Sequence, residues 1–277
     1  EQLPFLVVGS LDSQRRPWVS LLFGDPGFVR ASSKRLNVAY RALTDDPWLT
    51  NVQLGAPVGV LGIELATRRR NRVNGRVRAL GGHSFQLQVD QAFGNCKQYI
   101  QARSETEARR EPTQQRAPQL EGALLSARAV ELLSRTDTTF IATASAQPEL
   151  GGEEGLDVSH RGGRPGFIDV TQGARSTLLL PDFYGNFMFN TFGNLEVNPR
   201  AGFVACDFEN GDVLSLTGTA RVLWDDARLL EFQGAERFFE FEVAEGRLFE
   251  GALGQGWSAA EFSPQLEDTG TWISTSG

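Results

Sequence analysis

Asn51-Val-Gln-Leu-Gly-Ala-Pro-Val-Gly-Val60 and Asn194-Leu-Glu-Val-Asn-Pro-Arg-Ala-Gly-Phe203 read as one stretch written twice. Three further pairs flank it: Phe5-Leu-Val-Val-Gly-Ser10 with Phe140-Ile-Ala-Thr-Ala-Ser145, Asp25-Pro-Gly-Phe-Val29 with Arg164-Pro-Gly-Phe-Ile168, and Val73-Asn-Gly75 with Leu216-Thr-Gly218. In chain order the offsets are 135, 139, 143 and 143, so a duplication with small insertions in the second copy accounts for them. A duplicated domain supplies its own pseudo-twofold partner, and differences between the copies mark where chemistry has been kept.

Around these anchors lie apolar or alternating runs of strand length, separated by turn residues such as Asp25-Pro-Gly27 and Gly81-Gly82. The first copy predicts strands over 5–11, 18–23, 36–40, 57–65, 72–79 and 85–90. The second predicts them over 139–144, 155–159, 166–169, 176–180, 187–190, 201–207, 213–224 and 237–243. The fold class is therefore mainly β with few short helices, each copy having enough strands to close into a small barrel. The division is 1–103 for the first barrel, 104–122 for a charged, Gln-rich linker, and 123–277 for the second barrel. Leu124, Leu125, Val130, Leu132 and Leu133 predict an amphipathic helix leading into the second barrel, whose counterpart would precede Glu1. The abrupt opening at Glu1 reads as a piece of a longer protein. A further short helix is expected over 94–102, with Asn95 near its N-terminus.

With 277 residues, 40% of them hydrophobic, the chain can bury two cores. No run approaches the roughly 18 apolar residues of a membrane helix, and the first residues lack a secretory signal. Cys96 and Cys206 lie at unrelated positions of the two copies, which suggests neither a disulfide framework nor a metal site and fits a reducing cytoplasm. A formal charge of −7 argues against nucleic-acid binding, so the basic run Arg68-Arg69-Arg70-Asn71-Arg72 points to a small anion.

The second copy carries Ser159-His-Arg-Gly-Gly-Arg-Pro-Gly-Phe167, Leu178-Leu-Leu-Pro-Asp-Phe183, Phe189-Asn-Thr191, Asn198-Pro-Arg-Ala201 and Thr217-Gly-Thr-Ala220 in that order. This order resembles the pyridoxamine 5'-phosphate oxidase-like family of FMN-binding split barrels. The first copy, with Thr67-Arg-Arg-Arg-Asn-Arg-Val-Asn-Gly75, Phe93-Gly-Asn-Cys96 and Gln98-Tyr-Ile-Gln101, is similar to the two-barrel members. The resemblance implies tandem barrels packed as a pseudo-dimer, FMN in a cleft between them, further homodimerisation, and redox chemistry on a small-molecule substrate or electron acceptor. Some similar proteins continue into reductase modules, so NAD(P)H or such a module is the expected donor. Two departures set the chain apart from the oxidase itself. Gly193 and Asn194 stand where it has adjacent basic residues, and Gly270-Thr-Trp-Ile-Ser-Thr275 lacks its Arg-x-His element. Pyridoxamine phosphate oxidation is not expected.

Bound flavin needs cations or amides for the phosphate, an apolar slot for the ring and a donor near the reduced ring. For the phosphate, Thr191 is placed to cap a helix over 192–197 ended by Asn198-Pro199, with Asn190, Gly193 and Asn194 beside it. An ordinary helix cap is the alternative. Pro47 and Trp48 stand at the corresponding places of the first copy and offer no anion site. Ser159, His160 and Arg161 form the densest polar group, either donating to the flavin or lying in a solvated hairpin; His160 and Arg161 correspond to Leu21 and Leu22. Alternation would send Arg68, Arg70 and Arg72 to one face, toward the phosphate or toward solvent. Cys96 reads as a small packed residue, while Asn95 and Tyr99 are cleft candidates by resemblance. Asp182 and Asn186 belong to an expected hairpin turn bordering the flavin. The chain thus reads as an FMN flavoprotein and oxidoreductase, or alternatively as a non-catalytic flavin or haem module of a larger redox protein. No metal site and no acid-base pair stand out.

Overall fold

Arg35, Leu36, Asn37, Val38 and Ala39 are exposed and buried by turns, the period-2 signature of a strand with one face on a core. Such strands dominate the computed structural model, which describes residues 3–94, 96–110, 116–185 and 189–272. The first copy contains β1 (Leu6–Leu11), β2 (Pro17–Leu22), β3 (Val29–Ala31), β4 (Arg35–Ala39), α1 (Pro47–Asn51), β5 (Pro57–Glu64), β6 (Arg69–Gly81) and β7 (Ser84–Gly94). A crossing segment carries β8 (Glu105–Arg110) and β9 (Gln119–Glu121). The second copy contains α2 (Ala127–Arg135), β10 (Thr138–Ala144), β11 (Leu156–Gly162), β12 (Asp169–Gln172), β13 (Ser176–Phe183), α3 (Asn190–Val197), β14 (Arg200–Asp207), β15 (Asp212–Leu223), β16 (Ala235–Phe249) and β17 (Gln255–Trp257).

The two antiparallel sheets follow one path. Their orders are β2-β1-β5-β6-β7-β4-β3 and β11-β10-β14-β15-β16-β13-β12. Both bulge at the same place: after Asn74 and after Thr217 the register shifts at a glycine. A Cβ on Gly75 would stand 2.0 Å from the carbonyl of Gln88, and one on Gly218 2.0 Å from that of Glu242. Only glycine lets the strands approach so closely.

Strand pairing also corrects the alignment of the opening strands. Val7 pairs with Leu21 and Leu61, whereas Phe140 pairs with His160 and Val204. Phe140 therefore occupies the place of Val7 rather than Phe5. A two-residue slip keeps every side chain on its own face, so the sequence pattern fits both registers. The correspondence of Leu21 with His160 stands.

The barrels pack back to back about a pseudo-twofold axis. Gly59 lies against the carbonyl of Leu156, and its counterpart Gly202 lies against that of Pro17, the residue corresponding to Leu156. A Cβ would meet these oxygens at 2.6 and 2.8 Å. One apolar core, with Phe5, Val7, Val19 and Leu21 on one side and Phe140, Ala142, Val158 and Val204 on the other, joins the copies. A buried ion pair crosses the same boundary, Arg72 Nη1 donating to Asp157 Oδ2 at 2.6 Å while Asn74 Nδ2 donates to Asp157 Oδ1 at 3.3 Å. Breaking such a pair on one side costs about 3–5 kcal/mol, because a charge is left buried alone.

Several local expectations change. The helix expected over 94–102 does not form: β7 runs on to Gly94, and Tyr99 sits in the left-handed region at φ 61°, which breaks a helical path. The expected linker contains paired strands, β9 on β16 and β8 on β17. Glu121 accepts from both the amide and the hydroxyl of Ser126, the residue that caps α2. The strand expected over 187–190 is replaced at its end by α3, which opens at Asn190; residues 187 and 188 lie outside the described residues.

Candidate functional site

Where β11 ends, the second barrel opens toward the first. His160, Arg161 and Gly162 form one wall, Pro181, Asp182 and Phe183 at the end of β13 a second, and Phe189 and Phe192 of the α3 turn a third. Glu236 and Arg237 close it from β16. The first copy contributes Arg70 from β6, and the crossing segment adds Cys96, Gln98 and Tyr99. The cleft encloses about 670 Å³, its open solvent included.

Tight backbone packing positions the crossing segment. Gln101 is fully buried; its amide donates to the carbonyls of Tyr99 (3.1 Å) and Gly163 (3.4 Å), and its oxygen accepts from the Ser263 amide (2.9 Å). A Cβ on Gly162 would stand 2.1 Å from the Tyr99 carbonyl, so the close approach requires glycine there. Tyr99 Oη donates to the Tyr184 carbonyl at 2.8 Å, and burial, helped by Asp182 and Glu236, pushes its phenol up to about 12.

The lining carries three arginines, Arg70, Arg161 and Arg237, against two carboxylates, Asp182 and Glu236. Arg237 uses both carboxylates, donating from Nη1 to Asp182 at 3.2 Å and from Nη2 to Glu236 at 2.7 Å. Its guanidinium carbon also lies 5.2 Å from the Phe189 ring and 5.1 Å from that of Trp224. Arg161 lies 5.3 Å over Phe192, with Nε 3.5 Å from Asp182 Oδ1. Burial raises the Asp182 carboxyl above its usual range against the pull of these two arginines. Arg70 has no carboxylate: among the described residues its buried Nε makes no hydrogen bond, and burial, with Arg161 and Arg72 nearby, pushes the group down to about 9. His160 is 3% exposed, and neither ring nitrogen finds a partner among the described residues. Burial, then Arg70 and Arg161, hold its pKa well below 6.5, so the ring is neutral near pH 7. Buried polar groups ordinarily have partners. Among the described residues the Arg70 Nε and both His160 nitrogens are left without one, close together at the cleft.

Among the sequence candidates, the fold brings Arg70, Tyr99, His160, Arg161 and Asp182 together. Asp182 belongs to β13 rather than to a hairpin turn. Asn95 and Asn186 lie outside the described residues. Ser159 and Thr191 are buried and bond each other at 2.9 Å, away from the cleft. Thr191 is not a cap: α3 begins one residue earlier and has no side-chain cap. Gly193 is exposed and donates its amide to Phe189, and Asn190 does not line the cleft. Asn194 donates to Thr143 at 3.1 Å, and its counterpart Asn51 makes the same bond to Ser10 at 3.2 Å. A bond present in both copies is structural. Arg68 adopts the left-handed region at φ 56° and donates to the Ile100 carbonyl and to Glu261, while Arg72 is committed to Asp157. Strand alternation begins only after Arg68, so Arg70 alone of the run reaches the cleft. Cys96 lines the cleft instead of packing in a core. Arg237, Glu236 and the phenylalanines were not selected by sequence, since only the sheet order brings the start of β16 beside the end of β13.

No family model matches the chain, and no curated protein sequence matches it. Solved structures that it resembles include HupZ of Group A Streptococcus, at 15% identity over 48% of this chain and 98% of that one, with a TM-score of 0.34. Others are a candidate pyridoxamine 5'-phosphate oxidase of Lactobacillus delbrueckii (18%, 45% and 93%, TM-score 0.33) and the FAD binding protein of Mycobacterium smegmatis (23%, 46% and 98%, TM-score 0.28). These neighbours are split-barrel proteins. The chain is a tandem split barrel. Its own sheet order and register carry that statement, and the reading of the cleft rests on this chain's own geometry. Among the described residues no helix of the tandem barrel is long and apolar enough to cross a membrane.

Proposed function

We propose that the cleft binds FMN and that the tandem barrel is a flavin-dependent oxidoreductase acting on a small molecule. The observation that carries this reading is the group of buried His160 and half-buried Arg70 and Arg161, of which only Arg161 meets a carboxylate among the described residues, beside the aromatic wall of Phe183, Phe189 and Phe192. The cations suit the anionic part of such a ligand and the rings its planar part. FMN, when bound, supplies the electron-transfer chemistry. Arg70 and Arg161 would hold negative charge, neutral His160 can donate one hydrogen bond, and the tight Gly162–Tyr99 contact fixes the floor. The proposal includes reduction by NAD(P)H or a reductase module, a homodimer, and a reducing, cytoplasmic setting.

A second reading, a flavin or haem carrier without turnover, has one observation in its favour. Both acids of the described lining, Asp182 and Glu236, are tied to arginines and not poised for proton transfer. Titration of the protein with FMN, riboflavin and haem, followed by absorbance and fluorescence, separates the readings. FMN binding at one per chain, with riboflavin at least about tenfold weaker for want of a charge-assisted contact, is expected. A Soret band with no flavin binding would favour haem, and no binding of any of the three would overturn both readings. Anaerobic reduction of bound FMN by NADPH, then reoxidation by candidate acceptors, distinguishes turnover from carriage.

A further inference from the structure

The chain has two cysteines, and the fold treats them oppositely. Cys206 lies 1% exposed in the inter-barrel core, where burial pushes its thiol well above the ordinary range. Cys96 is half-buried and lines the cleft. Two fixed points hold it there. Before it, Gly94 at the end of β7 pairs with Asn71, the neighbour of Arg70 on β6. After it, Tyr99 is pinned by its amide, which donates to Ser263 Oγ at 3.1 Å, and by the close approach of its carbonyl to Gly162. The thiol therefore lies within electrostatic reach of the Arg70 guanidinium. In the described lining three guanidiniums face two carboxylates, and both acids are engaged by Arg161 and Arg237, so the uncompensated charge is that of Arg70. His160 adds a second unmet demand: it is 3% exposed, and neither ring nitrogen has a partner among the described residues. A thiol beside such a cation and such an imidazole can hold one molecule by a covalent bond and two polar contacts together.

We propose that Cys96 is a modification site that captures a low-molecular-weight disulfide carrying carboxylates. The Cys96 sulfur attacks one sulfur of the disulfide and gives up its proton to solvent. A new S–S bond forms, the old one breaks, and the departing half leaves as a thiolate that takes up a proton. Cys96 is oxidised and the released half is reduced, so the disulfide is the only oxidant required. A carboxylate of the retained half meets Arg70, and His160 donates to it, which selects anionic disulfides over neutral or cationic ones. The adduct occupies the cleft; that it thereby excludes FMN rests on FMN being the ligand of the cleft.

The test treats the whole protein, without added flavin, with three aliphatic disulfides of similar length: dithiodipropionate, hydroxyethyl disulfide and cystamine, which are anionic, neutral and cationic. Adducts are read by mass spectrometry, and each rate is divided by that of mercaptoethanol to remove the intrinsic reactivity of the reagent. One adduct per folded chain is expected, absent from Cys96→Ser, with the anionic reagent favoured roughly tenfold over the neutral one. Arg70→Gln, or salt at about 0.5 M, should bring that preference below about twofold. The salt arm needs no substitution, so it stands even if Arg70→Gln fails to fold. Modification of Cys206 alone, equal normalised rates for the three reagents, or a preference unmoved by salt overturns the proposal. FMN is then titrated into the dithiodipropionate adduct, where its affinity should be lost; equal affinity for adduct and free protein overturns the closing of the cleft. Charge-selective capture in a protein that binds no FMN, modified or not, overturns the flavin reading and supports the capture site.

Discussion

The pseudo-twofold axis creates two equivalent positions between the barrels, and their inner walls are lined differently. In the cleft stand Arg70, His160, Arg161, Gly162 and Tyr99. At the other stand Val213, Leu21, Leu22 and Phe23, the counterparts of Arg70, His160, Arg161 and Gly162 by strand register. Leu21, Phe23, Val213 and Leu253 pack with Phe208 and Trp257 into the inter-barrel core. The α1 turn repeats the contrast: Trp48 is fully buried where the second copy has Thr191 bonded to Ser159. The same backbone frame therefore serves as core on one side and as site on the other. What separates them is a handful of side chains: Leu21, Leu22 and Phe23 are buried where the cleft has His160, Arg161 and Gly162.

The largest expected effect comes from giving the cleft the apolar set of its twin. Arg70→Val, His160→Leu and Arg161→Leu together should weaken FMN binding about a thousandfold or more, since two charge-assisted hydrogen bonds of about 1.5–3 kcal/mol each are lost. The denaturation midpoint should hold, because removing the unpartnered Arg70 Nε and His160 nitrogens offsets the loss of the Arg161–Asp182 pair, and Arg237 still holds Asp182. An unchanged FMN Kd would show that the cleft is not the site.

Next in size is a contrast of aromatic truncations. Phe23→Ala at the twin position should cost about 3–5 kcal/mol in urea unfolding, the usual range for a buried phenylalanine. Phe189→Ala, at a residue 40% exposed, should cost under about 1 kcal/mol. Equal costs would mean that the twin position is less well packed than its twofold counterpart suggests.

Acid stability distinguishes His160 from Leu21. The folded pKa of His160 lies below its unfolded value, so the unfolded chain takes up a proton that the folded chain refuses. Its contribution is complete above pH 6.5 and is lost as the pH falls below that value. Without flavin, His160→Leu should flatten the loss of stability on the acid side of pH 6.5. Identical acid unfolding profiles would mean that the imidazole finds a partner in solution.

The smallest effect is expected where sequence and structure disagree. Ser159→Ala removes one buried hydrogen bond to Thr191, worth about 1 kcal/mol of stability. FMN affinity should change less than about threefold, since neither residue lines the cleft. A tenfold loss would restore the α3 turn as a phosphate site.

Much of the architecture was legible because strand alternation and paired turns survive in both copies. The exceptions are instructive. Phe5 aligned with Phe140 by composition, but pairing sets Phe140 against Val7, a slip that period-2 patterning tolerates. Thr191 and Asn194 looked like ligand groups because their types suit a phosphate, yet each has a hydrogen-bond partner distant in sequence. Arg68, Arg70 and Arg72 looked equivalent until the left-handed turn at Arg68 and the buried Asp157 took two of them away.

By itself the sequence determined that the chain is two copies of one β domain, because the repeat and the alternation are local and survive any arrangement of the strands. It also marked His160 and Arg161 as polar intrusions where the first copy has leucines. Only the tertiary structure decided that Arg70 of one copy meets them, that Asp182 is shared between Arg161 and Arg237, and that Phe23 is buried at the twin position. Charge pairing and cavity filling depend on which distant side chains arrive first, and that is set by sheet register and barrel docking rather than by any local pattern.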